Sequence, residues 1–170
     1  RRDVFYRDLY MPTAVWILQS YPPYVLGGAE FAAHRVNRWL ADHGWRVTVI
    51  MVGVSAKHSE FEGIPFQHVA KEEDVCIPET ANVVFSQLDA SVMARRIVSR
   101  TRIPYIQFIH GLSNNSMPDA AFLDQARCTL IYNSQHTKKI CESAHPHLQR
   151  ASVHIMHPII PHTVCTPRTD

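Results

Sequence analysis

The chain has 170 residues, enough for one domain that buries roughly 70% of its unfolded surface, and its 46% hydrophobic and 19% charged residues are ordinary for a globular protein. The net charge of +2, without a run of Lys or Arg, argues against a nucleic-acid partner. No apolar run approaches the roughly 18 residues that span a bilayer, so we expect a cytoplasmic protein without a transmembrane segment, and a peripheral membrane contact stays open.

The first elements alternate between strand and helix. Residues 1–12, "RRDVFYRDLYMP", lack the apolar centre of a secretory signal and are interpreted as an N-terminal arm or part of an excised segment. Residues 13–19, "TAVWILQ", form a β-branched and aromatic run that suits a buried parallel strand. Residues 29–43 carry apolar side chains at helical spacing with Gly44 as a left-handed cap, and residues 46–52 are the next strand.

The alternation continues along the rest of the chain, so residues 13–157 are predicted to form one domain and residues 158–170 the start of a linker. Further strands are predicted at 64–70, at 82–87, within "IPYIQFIHG" and "CTLIYNS", and at 152–156, and further helices at 89–100, 118–126 and 134–143. Residues 71–80 are acidic and irregular. The basic pairs on the predicted helices are interpreted as solvated faces: Arg95 with Arg96, and Lys138 with Lys139.

Sustained alternation of strands and helices is typical of a parallel sheet with helices on both faces. Because crossovers between parallel strands are right-handed, we predict a doubly wound, mainly parallel α/β fold. In the usual strand order, 3-2-1-4-5-6, the first and fourth strands flank the point where the winding direction reverses. Ligands bind at this switch point, beyond the carboxyl ends of the strands.

Polar side chains follow several of the predicted strands. The first strand ends at Gln19, the fourth at Gln87 and the fifth at His110. The sixth ends at Asn133 and Ser134, and we expect all five residues to converge on one crevice in which His110 takes part in the chemistry. Four of them have a structural alternative: His110 can be a satisfied structural side chain, Ser134 an N-cap, and Gln87 and Asn133 local caps or turn residues.

The segment "YPPYVLGGAE" connects the first strand to the first helix. Gly27 and Gly28 lack a Cβ, so they can take positive φ and let a ligand approach the backbone. Amides at the start of a helix attract phosphate or carboxylate, and Glu30 in the first turn complements the same dipole. Tyr24 lies in this loop and is placed in the same crevice. The alternative is a plain tight turn, and neither the GxGxxG nor the P-loop pattern is present.

The spacing of cysteines and histidines gives only a weak metal signal. The four cysteines show no CxxC pair and are interpreted as buried or free thiols of a reducing compartment: Cys76, Cys128, Cys141 and Cys165. Cys141 and His145 stand at helical i, i+4 spacing, but the histidines that follow are loosely spaced and Pro146 interrupts the helical pattern. We therefore predict no metal and no cofactor.

The segment "YPPYVLGGAEFAAHRVNRWLADHGWRVTVIMVG" resembles the amino-terminal opening of GT-B fold glycosyltransferases of family 4, in which a "PP…GGaE" loop precedes a helix and a "G-h-x-V-T-V" strand. Three later segments resemble the same family in the same order: "IPYIQFIHG", "LIYNSQHTKKI" and "VHIMHPII". The resemblance covers residues 12–161, which is nearly the whole chain.

This resemblance implies the Rossmann-like, acceptor-side half of a retaining, metal-independent glycosyltransferase, with a nucleotide-sugar donor and a sugar, lipid or other acceptor. It implies that Gly27 and Gly28 approach the donor phosphates and that His110 faces the reacting sugar. Catalysis would be largely electrostatic. The family's donor-side domain lies outside this sequence, so we expect activity only with a carboxy-terminal domain in cis or in trans.

Two other functions fit the same fold. A non-catalytic domain would bind a sugar or a nucleotide in the same crevice without turnover. A nicotinamide-dependent enzyme is disfavoured, because the GxGxxG pattern and a convincing acidic ribose ligand after the second strand are missing.

Overall fold

A computed structural model describes residues 11–53, 55, 58–113 and 115–157. The strands are β1 (Thr13–Leu18), β2 (Arg46–Val52), β3 (Glu60–Phe61), β4 (Ile64–Val69), β5 (Ala81–Gln87), β6 (Tyr105–Ile109), β7 (Cys128–Tyr132) and β8 (Ser152–Ile155). The helices are α1 (Gly28–Asp42), α2 (Ala90–Val98), α3 (Ala120–Gln125) and α4 (Gln135–Ala144), with short 3-10 turns at Glu72–Asp74 and Pro146–Arg150. Apart from Met11 and Pro12, the predicted arm and linker lie outside the described residues and stay predictions.

The strands form one eight-stranded sheet in the order β3-β4-β2-β1-β5-β6-β7-β8. Every neighbouring pair is parallel except β3 and β4. The predicted doubly wound, mainly parallel α/β fold is confirmed, and so is the order of its first six predicted strands. Because β1 pairs with β2 on one side and with β5 on the other, the switch point lies between the ends of β1 and β5.

One edge of the sheet carries a hairpin that the sequence pattern did not predict. The strands β3 and β4 are joined by Glu62 and Gly63, which both have positive φ, 47° and 78°. Two central residues with positive φ are typical of a type I′ turn, whose twist matches that of the flanking strands. The only sequence signal is one glycine after a glutamate, and Pro65 directly beyond it argues against a strand.

Both faces of the sheet are packed. On one face, α2 packs on β5 and α4 on β7, and side chains such as Ala94 and Cys141 are fully buried. On the other face, α1 packs Ala33 and Leu40 over β2 and β4. All six residues of β1 are buried between these layers, which explains why its apolar pattern is continuous rather than alternating.

The helix ends follow local capping rules. Gly44 follows α1 with a φ of 81°, as predicted for a left-handed cap. Asp119 caps α3 by accepting from the Phe122 amide at 2.7 Å, so this helix begins later than predicted. Ser134 caps α4 by accepting from the Thr137 amide at 3.1 Å. In the described ranges, no helix is long and apolar enough to cross a membrane.

Candidate ligand-binding site

The loops after β5, β6 and β7 meet at the carboxyl edge of the sheet. Gln87 ends β5 and His110 follows β6, and their atoms Oε1 and Nε2 lie 3.0 Å apart. Asn133 follows β7 and donates from Nδ2 to the backbone carbonyl of His110 at 3.0 Å. The structure thus brings three of the predicted site residues together, and their roles stay predictions.

His110 lies in a half-buried apolar setting. Its ring is nearly parallel to that of Phe108, at 18° and a centroid distance of 6.5 Å, and lines a cavity of about 300 Å³. Burial lowers the pKa of His110 below that of an ordinary histidine, and the carboxylate of Glu30 raises it by a smaller amount. The imidazole is therefore neutral at pH 7 and suits hydrogen bonding rather than charge pairing.

A second, smaller cavity of about 20 Å³ lies at the ends of β1 and β5 and has room for roughly one water. Gln19 and Glu30 line it together with Gln87, so two more predicted residues lie beside the first three. Glu30 is only 7% exposed, and its Oε1 accepts a hydrogen bond from Ser20 Oγ at 2.9 Å. The two cavities are called the crevice below.

The expectation that the two glycines take positive φ is wrong. Gly27 is the N-cap of α1 with a φ of −83°, and Gly28 is the first helical residue. Gly27 is favoured for another reason: a Cβ there would lie 2.2 Å from Oε2 of Glu30, which folds back from the third helical position and would have to move. A Cβ on Gly28 would meet nothing within 4 Å, so this residue faces open space.

A buried polar cluster anchors the loop that leads to the two glycines. Tyr21 is fully buried, and its hydroxyl lies 2.7 Å from Nδ1 of His34 and accepts from Nδ2 of Asn37 at 3.1 Å. Nε2 of His34 in turn lies 3.0 Å from a carboxylate oxygen of Glu62 in the hairpin turn. The loop is therefore tied both to α1 and to the hairpin at the edge of the sheet.

Two predicted crevice residues have other partners. The Tyr24 hydroxyl accepts from the backbone amide of His58 at 2.6 Å, and its ring packs edge-on against Phe66 of β4. Tyr24 is therefore turned toward β4 and does not line either cavity. The hydroxyl of Ser134 is occupied as the N-cap of α4, which was the structural alternative.

Leu88 is a site residue that the sequence did not single out. It follows Gln87, lines both cavities, and is 42% exposed. Its φ of 52° lies in the left-handed region, which is unfavourable for a residue with a bulky side chain and is more frequent at functional sites. Nothing in the residue type or its spacing reveals this conformation.

Arg95 was interpreted as part of a solvated helix face, and this is wrong. Its Nη1 donates to Oε1 of Gln107 at 3.0 Å and to the backbone carbonyl of Ser116 at 2.6 Å. Burial lowers the pKa of Arg95, while its neighbour Arg96 is exposed and pairs with Glu72. The buried guanidinium thus fixes the loop after β6, which contributes His110 and Ser116 to the larger cavity.

Within the part of the chain that the structure describes, no group of three or more His, Cys, Asp or Glu side chains is arranged to hold a metal ion. Cys141 is fully buried, and burial raises the pKa of its thiol. The prediction that the protein works without a metal stays a prediction.

Fold and site define a doubly wound α/β protein with a polar crevice at its switch point. No family model matches the chain, and no curated protein matches it at a significant level. The geometry of the site, with the motifs of the sequence, therefore carries the functional conclusion.

Proposed function

We propose that this chain is the acceptor-side half of a retaining glycosyltransferase of GT-B fold family 4, which moves a sugar from a nucleotide-sugar to an acceptor. The observation that carries the proposal is the position of His110. It is a neutral, half-buried imidazole after β6, bonded to Gln87 of β5, near a helix that opens with two glycines. The family that the sequence resembles has a histidine and a glycine loop at these places.

The chemistry of such a transfer fits the groups in the crevice. In a retaining transfer, positive charge develops on the sugar and negative charge on the departing diphosphate. His110 and Gln87 offer hydrogen bonds to sugar hydroxyls. The first amides of α1, at Gly28 and beyond, offer a partial positive charge to a phosphate. The nucleotide-sugar is a co-substrate in this scheme, and neither a metal nor an organic cofactor is required.

The crevice carries little positive charge of its own. Among the residues that the structure describes, no Lys or Arg side chain lines either cavity, and the carboxylate of Glu30 lies at the start of α1. A leaving diphosphate therefore needs cationic groups from another part of the enzyme. In our proposal a carboxy-terminal donor domain supplies them, in cis or in trans.

Large apolar side chains are exposed on the loops that surround the crevice. Val25 and Leu26 in the loop after β1 are 41% and 68% exposed, Leu88 after β5 is 42% exposed, and Leu112 after β6 is 49% exposed. Apolar residues gathered at one edge are typical of an interaction surface. This rim suits a second domain that closes over the crevice.

The test is a transfer assay with uridine- and guanosine-diphosphate sugars and a panel of acceptors. We expect no transfer or donor hydrolysis by the purified chain, and transfer once the donor domain is fused or added. In the active enzyme, His110→Ala should lower kcat/KM by about tenfold or more, equivalent to about 1.4 kcal/mol. His68→Ala, which alters an exposed side chain on β4, is the matched control. Robust transfer by the chain alone, or full activity of His110→Ala, would overturn the proposal.

The alternative is a domain that binds a sugar or nucleotide without turnover. The described residues that line the two cavities include no cationic side chain, which favours it, since binding of a neutral sugar needs no charge compensation. Calorimetric titration with free sugars and nucleotides separates the two functions. Binding by the chain that the donor domain neither strengthens nor converts into transfer would support the alternative.

A further inference from the structure

Gln87 contacts one of the two nitrogens of the His110 ring. The side chain of Gln87 is 2% exposed, and its carbonyl oxygen Oε1 lies 3.0 Å from Nε2 of His110. A carboxamide oxygen only accepts hydrogen bonds, so Nε2 must be the donor. A neutral imidazole has a single N–H group, and Nδ1 therefore keeps a lone pair. In the described ranges, no residue forms a hydrogen bond with Nδ1 of His110.

Both partners are held by rigid parts of the sheet. Gln87 lies opposite Phe108 in the register between β5 and β6, and the ring of His110 lies over that of Phe108. Asn133 fixes the backbone of His110 through its carbonyl oxygen. If the ring turned by half a rotation about its Cβ–Cγ bond, Nε2 would move away from Oε1 of Gln87 and this hydrogen bond would be lost. The ends of β5 and β6 thus hold Gln87 and His110 in the orientation that favours a proton on Nε2.

We propose that Gln87 is a positioning residue that holds His110 in the tautomer with Nε2 protonated, so that Nδ1 accepts a hydrogen bond from a hydroxyl group of the ligand. This inference rests on the proposed function in one point only, namely that the hydroxyl group belongs to a sugar. At Nδ1 the crevice selects a neutral hydroxyl donor, because a lone pair repels the oxygens of a phosphate or a carboxylate. An anionic group would bind elsewhere, at the start of α1.

The tautomer can be measured on the chain itself, without any ligand. Long-range nitrogen–proton correlation spectra of the chain with isotope-labelled histidine distinguish protonated from unprotonated ring nitrogens. The signals of His110 are assigned by their loss in His110→Gln. The variants are Gln87→Leu, which removes the acceptor, and Gln87→Glu, which keeps an acceptor oxygen at the same place. Asn133→Ala is the control, because Asn133 contacts the backbone of His110 and not its ring.

In the wild-type chain we expect Nε2 at the chemical shift of a protonated nitrogen and Nδ1 at that of an unprotonated one. In Gln87→Leu both shifts should move toward each other, as in a mixture of tautomers, whereas Asn133→Ala should keep the wild-type pattern. Gln87→Glu should keep it as well when the spectra are recorded above the His110 pKa, which the new carboxylate raises. If Gln87→Leu fails to fold by circular dichroism, Gln87→Met replaces it with an unbranched side chain of similar length.

A protonated Nδ1 in the wild-type chain, or unchanged shifts after loss of the acceptor, would overturn the proposal. In the active enzyme, Gln87→Leu should also lower kcat/KM by about tenfold, and Gln87→Glu should restore part of the loss. The expected tautomer in a chain that never shows transfer would count against the proposed function alone.

Discussion

Replacement of the two adjacent glycines by alanine should change stability in opposite directions. At Gly27 the new methyl group would lie 2.2 Å from Oε2 and 3.3 Å from Cδ of Glu30, whereas at Gly28 it would meet nothing within 4 Å. Neither glycine has a φ in the left-handed region, so alanine can adopt both backbone conformations. The difference between the two variants therefore arises mainly from the carboxylate of Glu30, with a smaller contribution from Gly27 being the N-cap, where alanine is less favourable than glycine.

The magnitudes follow from the contacts. In Gly27→Ala the Glu30 side chain must move and lose its bond to Ser20, and a hydrogen bond to a charged group contributes about 1.5–3 kcal/mol. The reduced entropy of the unfolded chain offsets about 0.4–1 kcal/mol of this loss. Gly27→Ala should thus lower the free energy of unfolding by about 0.5–2.5 kcal/mol. Gly28→Ala changes only the entropy of the unfolded chain and should raise the free energy of unfolding by about 0.4–1 kcal/mol.

Urea denaturation followed by circular dichroism measures both changes. A double-mutant cycle adds the control: in a Ser20→Ala background the hydrogen bond is already lost, so Gly27→Ala should cost much less. Equal effects of the two alanines, or an unchanged cost of Gly27→Ala in that background, would refute the role given to Glu30.

Three further predictions concern buried groups. Arg95→Leu should lower the free energy of unfolding by about 1.5–3 kcal/mol, since it removes the hydrogen bonds of a charged guanidinium to Gln107 and Ser116, whereas Arg96→Ala should cost less than about 1 kcal/mol in the same denaturation assay. Burial lowers the pKa of His110 in the folded protein, so on acidification the unfolded chain binds a proton at this histidine at a higher pH than the folded one. The free energy of unfolding should therefore fall as the pH drops below about 6.5, and His110→Gln should weaken this pH dependence in denaturation measurements. The exposed thiol of Cys76 should be alkylated in the native protein, whereas Cys128, whose pKa burial raises to about 12, should react only on unfolding, as read by mass spectrometry of the labelled peptides.

The sequence was informative wherever the signal is local. The continuous apolar run of β1, the helical spacing in α1 and the glycine after it are each encoded within a few residues, and the structure has them where they were predicted. The convergence of Gln87 and His110 followed from a rule about strand order, which needs only the sequence of elements and no detail of side chains.

The rest depends on contacts between distant parts of the chain. Arg95 has the composition of a solvated face, but Gln107 and Ser116 from another strand and loop surround it. Tyr24 was placed in the crevice because of its loop, and its partner His58 is 34 residues away. Gly27 was expected to use its access to positive φ, whereas its constraint is the Glu30 side chain, which folds back from the first turn of α1. No single-residue propensity contains such information.

The charges of the crevice support an acceptor-side role independently of the motifs. The start of a helix carries roughly half a positive charge, and the carboxylate of Glu30, held there by Ser20, carries a full negative one. His110 is neutral, and no Lys or Arg of the described ranges lines either cavity, so no described side chain there compensates the excess of negative charge. Hydroxyl groups of a neutral sugar bind well in such surroundings. A diphosphate held by this crevice alone would face a carboxylate, with only backbone amides to offset the repulsion, and it therefore requires cationic groups from outside the crevice.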